Sequence, residues 1–325
     1  MKKYIFISAI LASFSLMSCQ KDMLTVEDNS AIADESILCS ENSSFEVIDV
    51  NTYTQTELAE RIGIEVPPET KGISLTYEVV RLSYKSTGAD GRPINLSMKI
   101  AYPKGIFGKY KDPEYIVLDN HWTIGSDMNS PYHKDPIALG KALDNALVVC
   151  PDYEGFGITA KNDHPYICHD INAKQSVDAV LAALDYIDAK KGVSMAKNYW
   201  LENYGYSQGG GIALAVHKYI ENNLSQSEQK RLNLKHSYCG DGIYAPVTTF
   251  DMYLSMDKLS MPVVSVIPVL GVKTCYPEIF DKYDFSDFFT PELCNNGIIE
   301  MIRSKEYSVE DIDKILEALN PYIIA

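Results

Sequence analysis

Basic residues are the scarce class in this sequence: 29 Lys and Arg stand against 44 Asp and Glu, for a net charge of −15. Such a chain repels phosphate backbones and anionic lipid surfaces, which argues against nucleic acid as a partner. Long apolar runs are lacking as well. The run from Tyr4 to Met17 spans 14 residues, whereas a helix needs about 20 to cross a bilayer. No internal repeat and no low-complexity segment is visible, and no C-x-x-C pair occurs. His164, Cys168 and His169 have metal-ligand chemistry, but Pro165 interrupts them and paired spacing is missing, so the stretch reads as a loop. Neither a metal nor a cofactor is expected. With 46% hydrophobic residues over 325 positions, the chain has enough apolar material for a large globular core and is not disordered as a whole.

Lys2 and Lys3 precede the short apolar run, which has the shape of a secretory leader. It closes on Leu16-Met17-Ser18-Cys19, which resembles a bacterial lipobox. Residues 1–18 are accordingly expected to be a signal peptide and Cys19 a lipidated N-terminus, placing the chain in the bacterial cell envelope. Ordinary cleavage would leave it secreted, and either route takes it out of the cytoplasm. From residue 19 to 45 small, polar and acidic residues dominate without periodicity, as in "KDMLTVEDNSAIADES", the composition of a tether. Besides Cys19 there are six cysteines: Cys39, Cys150, Cys168, Cys239, Cys275 and Cys294. Their spacing is irregular, and Cys150 and Cys239 end apolar strand-like runs, so mostly free thiols are expected.

Ser74–Tyr84 and Pro93–Tyr102 alternate apolar and polar residues around the turn formers of "KSTGADGR", which predicts an antiparallel hairpin. The short apolar runs "YIVLD", "NALVVC" and "YWLENY" lack alternation, as strands buried on both faces do. Between the last two, Ala173, Val177, Val180, Leu181, Leu184 and Ile187 recur at three- and four-residue spacing and predict a helix ending near Lys190. Ile212, Val216 and Ile220 draw a second helix, and Leu234–Gly240 is a further strand. Alternating strands and helices imply a mostly parallel sheet.

Gly205-Tyr206-Ser207-Gln208-Gly209 lies between a predicted strand and a predicted helix. This is the G-x-S-x-G pattern of a nucleophile elbow, where so sharp a turn leaves no room for side chains two residues either side of the serine. The next backbone N–H, that of Gln208, sits at a helix N-terminus, where a developing oxyanion is stabilised. Gly210 and Gly211 are not followed by the lysine of a phosphate loop.

From about Thr76 onward the chain resembles the α/β-hydrolase superfamily, and within it the secretory lipase family and its bacterial esterase relatives. The resemblance rests on "NHWT" (Asn120–Thr123), "PDYEGFG" (Pro151–Gly157), "HPYICHDINAKQSVDAVLAA" (His164–Ala183) and "GYSQGG" (Gly205–Gly210). It implies an α/β-hydrolase core over residues 46–242 and a helical cap over 243–325. It also implies Ser207 as nucleophile, with Gln208 and Trp122 as oxyanion N–H donors. Trp122 stands where the family usually has glycine, and its ring would otherwise be a hydrophobic plug over the strand edge. Asp152 and Tyr153 look like loop-fixing residues. The implied substrate is a small-molecule or lipid ester, and a lipid on Cys19 would be the one tie to a membrane.

Histidine is scarce, and here the scarcity matters. A serine hydroxyl needs a histidine to take its proton and an acid to orient that histidine, and in this fold both follow the serine. Only His217 and His236 do: the first lies within the following helix and the second at the wrong end of a strand. Asp241, just beyond Gly240, is at the right edge for an acid, although an aspartate there also serves as a loop cap. After Gly242, stretches such as "MYLSMDKLSMPVVSVIPVLG" read as cap helices, and a final helix opens on Ser308 and Asp311 with the stripe Ile312, Ile315, Leu316, Leu319. The apolar end "YIIA" leads us to expect a chain cut within its cap, lacking the last strands with the acid and histidine. Two other readings stay open: a non-catalytic surface lipoprotein holding an apolar ligand under its cap, and a serine peptidase of the same superfamily.

Overall fold

The computed structural model describes residues 43–65, 75–105, 110–256 and 259–318. The expected leader, Cys19, most of the tether, Cys39 and Leu319 lie outside these residues. Strand β1 (Phe45–Thr54) leads into helix α1 (Gln55–Arg61) through a capping box, with Thr54 and Glu57 each bonding the other's backbone N–H. The expected hairpin follows as β2 (Thr76–Thr87) and β3 (Pro93–Gly105). Strands β4 (Tyr115–Asn120) and β5 (Ala146–Pro151) precede helix α2 (His169–Ala189), which starts one turn before its predicted first residue. Then come β6 (Leu201–Tyr206), α3 (Gln208–Asn223), α4 (Gln226–Leu232) and β7 (Leu234–Gly240).

The strands form one sheet in the order β1-β2-β3-β5-β4-β6-β7. β1, β2, β3 and β5 pair antiparallel in turn, while β5, β4, β6 and β7 pair parallel, so five of the seven strands run the same way. Two apolar layers hold the sheet. Ile116, Leu118, Leu147 and Val149 face one cluster with Val177, Val180, Leu184, Ile212 and Val216 of α2 and α3. Their strand neighbours Val117, Val148 and Cys150 face the other, with Leu58 of α1 and Leu139. Burial on both faces is why β4 and β5 carry unbroken apolar runs. Burying each such side chain contributes roughly 1.5–3 kcal/mol. β7 ends the sheet order, and Tyr238 on it stacks on Tyr204 with centroids 4.4 Å apart.

Beyond β7 no strand occurs among the described residues. Helices α5 (Pro246–Leu254), α6 (Ile267–Cys275), α7 (Pro277–Phe280), α8 (Pro291–Asn295), α9 (Ile298–Ser304) and α10 (Val309–Ala318) follow. They have an apolar core of their own, built on Val264, Leu270, Phe289, Ile299, Ile312 and Leu316. Ser308 caps α10 as expected, accepting from Asp311 N at 3.1 Å. Ile312 and Leu316 point inward, while Ile315 from the same predicted stripe is exposed. No helix among the described residues is long and apolar enough to cross a membrane.

Candidate active site

Ser207 joins β6 to α3 at φ 55 and ψ −122, a conformation that persists only where the surroundings enforce it. Close packing enforces it here. A Cβ on Gly205 would stand 1.9 Å from Gly209 O, and one on Gly209 would stand 2.0 Å from Asn120 O. The elbow is also tied across the sheet, because Ser207 N donates to Gly240 O at 2.9 Å at the end of β7. Ser207 itself is half-buried, and α3, 16 residues long, begins at the next residue. The first-turn N–H groups of a helix have no acceptor within it, so the N–H of Gln208 and the helix dipole are turned toward whatever sits at Ser207.

The Gln208 side chain is buried, and nothing in the sequence pattern marks the group that receives it. Its Nε2 lies 2.6 Å from Nε2 of His164, whose Nδ1 lies 2.7 Å from the Glu154 carbonyl oxygen. One tautomer satisfies both: Nδ1–H donates to Glu154 O, and the bare Nε2 accepts from the Gln208 amide. Burial pushes the His164 pKa down to about 3, so the ring stays neutral. His164 thus seats the residue after the serine. Only its place in the "HPY" stretch marked it in the sequence.

Trp122 follows β4 as expected, and the residue is 55% exposed, which does not suit a hydrophobic plug over the strand edge. The preceding residue fixes its peptide: His121 Nδ1 is 2.7 Å from Trp122 O, and the His121 ring packs 4.2 Å from the Tyr153 ring. Asn120, at the strand end, donates to Asn203 Oδ1 and to Tyr204 O, both at 2.8 Å, and Asn203 donates to Ala213 O at 2.7 Å. This buried amide relay locks β4, β6 and α3 together below the elbow. Asp152 is fully buried and accepts from Ser97 Oγ at 2.6 Å and Tyr132 N at 2.7 Å. It holds loops in place, and burial raises its pKa to about 7.

Asp241 lies just past β7 at φ 45, exposed, with Tyr206 OH 3.4 Å from its carboxylate. It shares the sheet edge with Ser207 and has no histidine among these partners. All six histidines are described, and each forms its hydrogen bonds or ion pairs with groups other than Ser207. His121 and His164 bond carbonyls as above, and His133 meets Asp127 at 2.9 Å. His169 Nε2 is 2.9 Å from Ile243 O, and His217 bonds Ser237 and Glu221. His236 faces Glu202 at 3.9 Å, four residues from the end of β6. His164, Cys168 and His169 turn to three separate carbonyls, and among the described residues no group of three His, Cys, Asp or Glu is placed to hold a metal.

The cap lies against the site. Arg303 donates to Asp163 through Nη2 at 2.8 Å and through Nε at 3.0 and 3.2 Å, and Asp127 N donates to Lys305 O at 2.8 Å. Between them is a cavity of about 30 Å³ walled by Thr123, His164, Leu270, Lys305 and Ile312. That is room for one or two waters. Ser207 is not in its wall; His164 links the two.

No protein-family model matches the chain, and no curated protein matches it either. Solved structures do. A Legionella pneumophila protein aligns at 19% identity and a TM-score of 0.64, over 86% of this chain and 71% of its own. The rice cell wall degrading esterase LipA from Xanthomonas oryzae aligns at 20% identity and 0.62, over 84% and 69%. Candida antarctica lipase A aligns at 14% and 0.54, over 86% and 59%. With the sheet order and the elbow, these likenesses give the chain the α/β-hydrolase fold.

Proposed function

We propose that this α/β-hydrolase-fold chain is a serine hydrolase of the esterase and lipase type, exported and lipid-anchored through Cys19. One observation carries the reading: a serine held at φ 55 at the carboxyl edge of the parallel strands, on the N-terminus of a helix. In the reaction Ser207 Oγ attacks an ester carbonyl, and the oxyanion is received by the N–H groups of Gln208 and Trp122. The alcohol leaves, and water then releases the acid from the acyl-enzyme. The fold neighbours that are esterases or lipases support this class of substrate. The cavity of about 30 Å³ is too small for an acyl chain and does not reach Ser207, so on this reading a chain lodged there requires the cap to shift.

The test is fluorophosphonate labelling of the protein as its own cell makes it. Label should appear on Ser207, and a Ser207→Ala variant labelled at the same rate would refute the assignment. For the anchor, Cys19→Ala should move the protein out of the membrane fraction; unchanged recovery there would count against lipidation. A second reading has its own support, since none of the six histidines bonds Ser207. On that reading the chain binds an apolar ligand under its cap without turnover. Absence of label, together with saturable binding of a fatty acid probe, would favour it.

A further inference from the structure

The seam between core and cap brings two thiols together. Helix α6 lies directly on the segment before α2: a Cβ on Gly271 would stand 2.3 Å from Tyr166 O. Cys168, buried at the N-terminal end of α2, donates through Sγ to Gly271 O at 3.4 Å. Cys275 is one turn further along α6, on the same helix face as Gly271. That spacing stands its thiol beside Cys168, which reaches the carbonyl one turn below. The two thiols are therefore neighbours across the seam, with Cys168 donating to the Gly271 carbonyl of the helix that carries Cys275. Both are reduced in this structure, and Cys275 is partly exposed.

We infer that Cys168 and Cys275 are a disulfide-forming pair that fastens the cap to the core over the cavity when the protein meets a disulfide oxidant. In the first step the Cys275 thiolate attacks one sulfur of the oxidant disulfide and expels the other as a thiolate. Cys168 gives up its proton and attacks the Cys275 sulfur, forming the Cys168–Cys275 bond and releasing the second oxidant thiolate. Two S–H bonds are lost and one S–S bond gained, while the oxidant takes two electrons and two protons to become two thiols. The neighbouring Cys168 thiol and burial hold the proton on Cys275, so exchange is slow in the closed form and runs through openings of the seam. The consequence is mechanical: α6 supplies Leu270 to the cavity wall, and a bond at Cys275 pins that helix.

The experiment treats the folded, reduced full chain with oxidised glutathione, blocks the remaining thiols under denaturing conditions and maps peptides without reduction. The expected product is a Cys168–Cys275 cross-link lighter by two hydrogens, with two thiols fewer to titrate and slower limited proteolysis within 246–318 than in the reduced protein. Cys168→Ser should leave Cys275 as a mixed disulfide with glutathione and restore the reduced rate of cap cleavage. Both thiols still titrating after exhaustive oxidation would overturn the inference, as would either cysteine joined to a different one. Cap proteolysis that is unchanged by the cross-link would overturn the fastening role. Mapping of the unmutated chain keeps the pairing testable if Cys168→Ser fails to fold. None of these readouts depends on ester hydrolysis.

Discussion

Gly209→Ala tests whether the elbow is held by contact rather than by sequence habit. The new Cβ would stand 2.0 Å from Asn120 O and 2.9 Å from His121 O. Ordinary contact lies more than an ångström beyond the first distance, and both obstacles are backbone. Helix α3 and the end of β4 must then part. Parting them strains the bonds from Asn120 Nδ2 to Asn203 Oδ1 and Tyr204 O, each 2.8 Å and buried. Overpacking costs about 1–3 kcal/mol, and two buried hydrogen bonds lost with partners left unmet cost about 1–3 kcal/mol each. A loss on the order of 3–9 kcal/mol follows. Gly140→Ala is the control, because its Cβ would meet only the tips of the Ile64 and Ile62 side chains, at 3.1 and 3.2 Å. It should cost less than about 1 kcal/mol. Urea midpoints at constant slope measure both. Equal midpoints for Gly209→Ala and Gly140→Ala would refute the packing argument.

Two carboxylates should give stability opposite pH slopes. Glu78, buried and paired with Lys104 and Lys190 at 2.8 and 2.6 Å, is held down to about 2 from an ordinary 4.5, its partners outweighing burial. Its folded pKa is depressed, so its contribution of about 3 kcal/mol is present above pH 4.5 and lost as pH falls toward 2. Asp152, raised by burial from 3.8 to about 7, contributes below pH 3.8 and loses that contribution as pH rises through 7. Denaturation midpoints across this range should flatten at the acid end for Glu78→Gln and at the neutral end for Asp152→Asn; unchanged profiles would contradict both environments. His164→Ala removes the acceptor of the Gln208 amide, at about 1–2 kcal/mol. Fluorophosphonate labelling of Ser207 should slow roughly tenfold, and wild-type labelling in a fully folded variant would show that His164 does not seat Gln208.

What the sequence determined by itself is local and repetitive. Alternation marked the β2–β3 hairpin, unbroken apolar runs marked β4 and β5, and three- and four-residue spacing marked α2 and α3, because each reports which side of one element faces a core. The elbow was legible for a similar reason, since its glycines answer a clash inside five consecutive residues. β1 was missed: its register shifts between Val47 and Asp49 and much of it stays solvated, so its alternation is broken. Tertiary structure alone decided the rest. Gln208 meets His164, Asn120 meets Asn203 and Cys168 meets Cys275 across 44, 83 and 107 positions, and no periodicity records such pairings. The exposure of Trp122 and the turning of every histidine to partners other than Ser207 likewise follow from how loops and cap pack, which is a property of the whole fold.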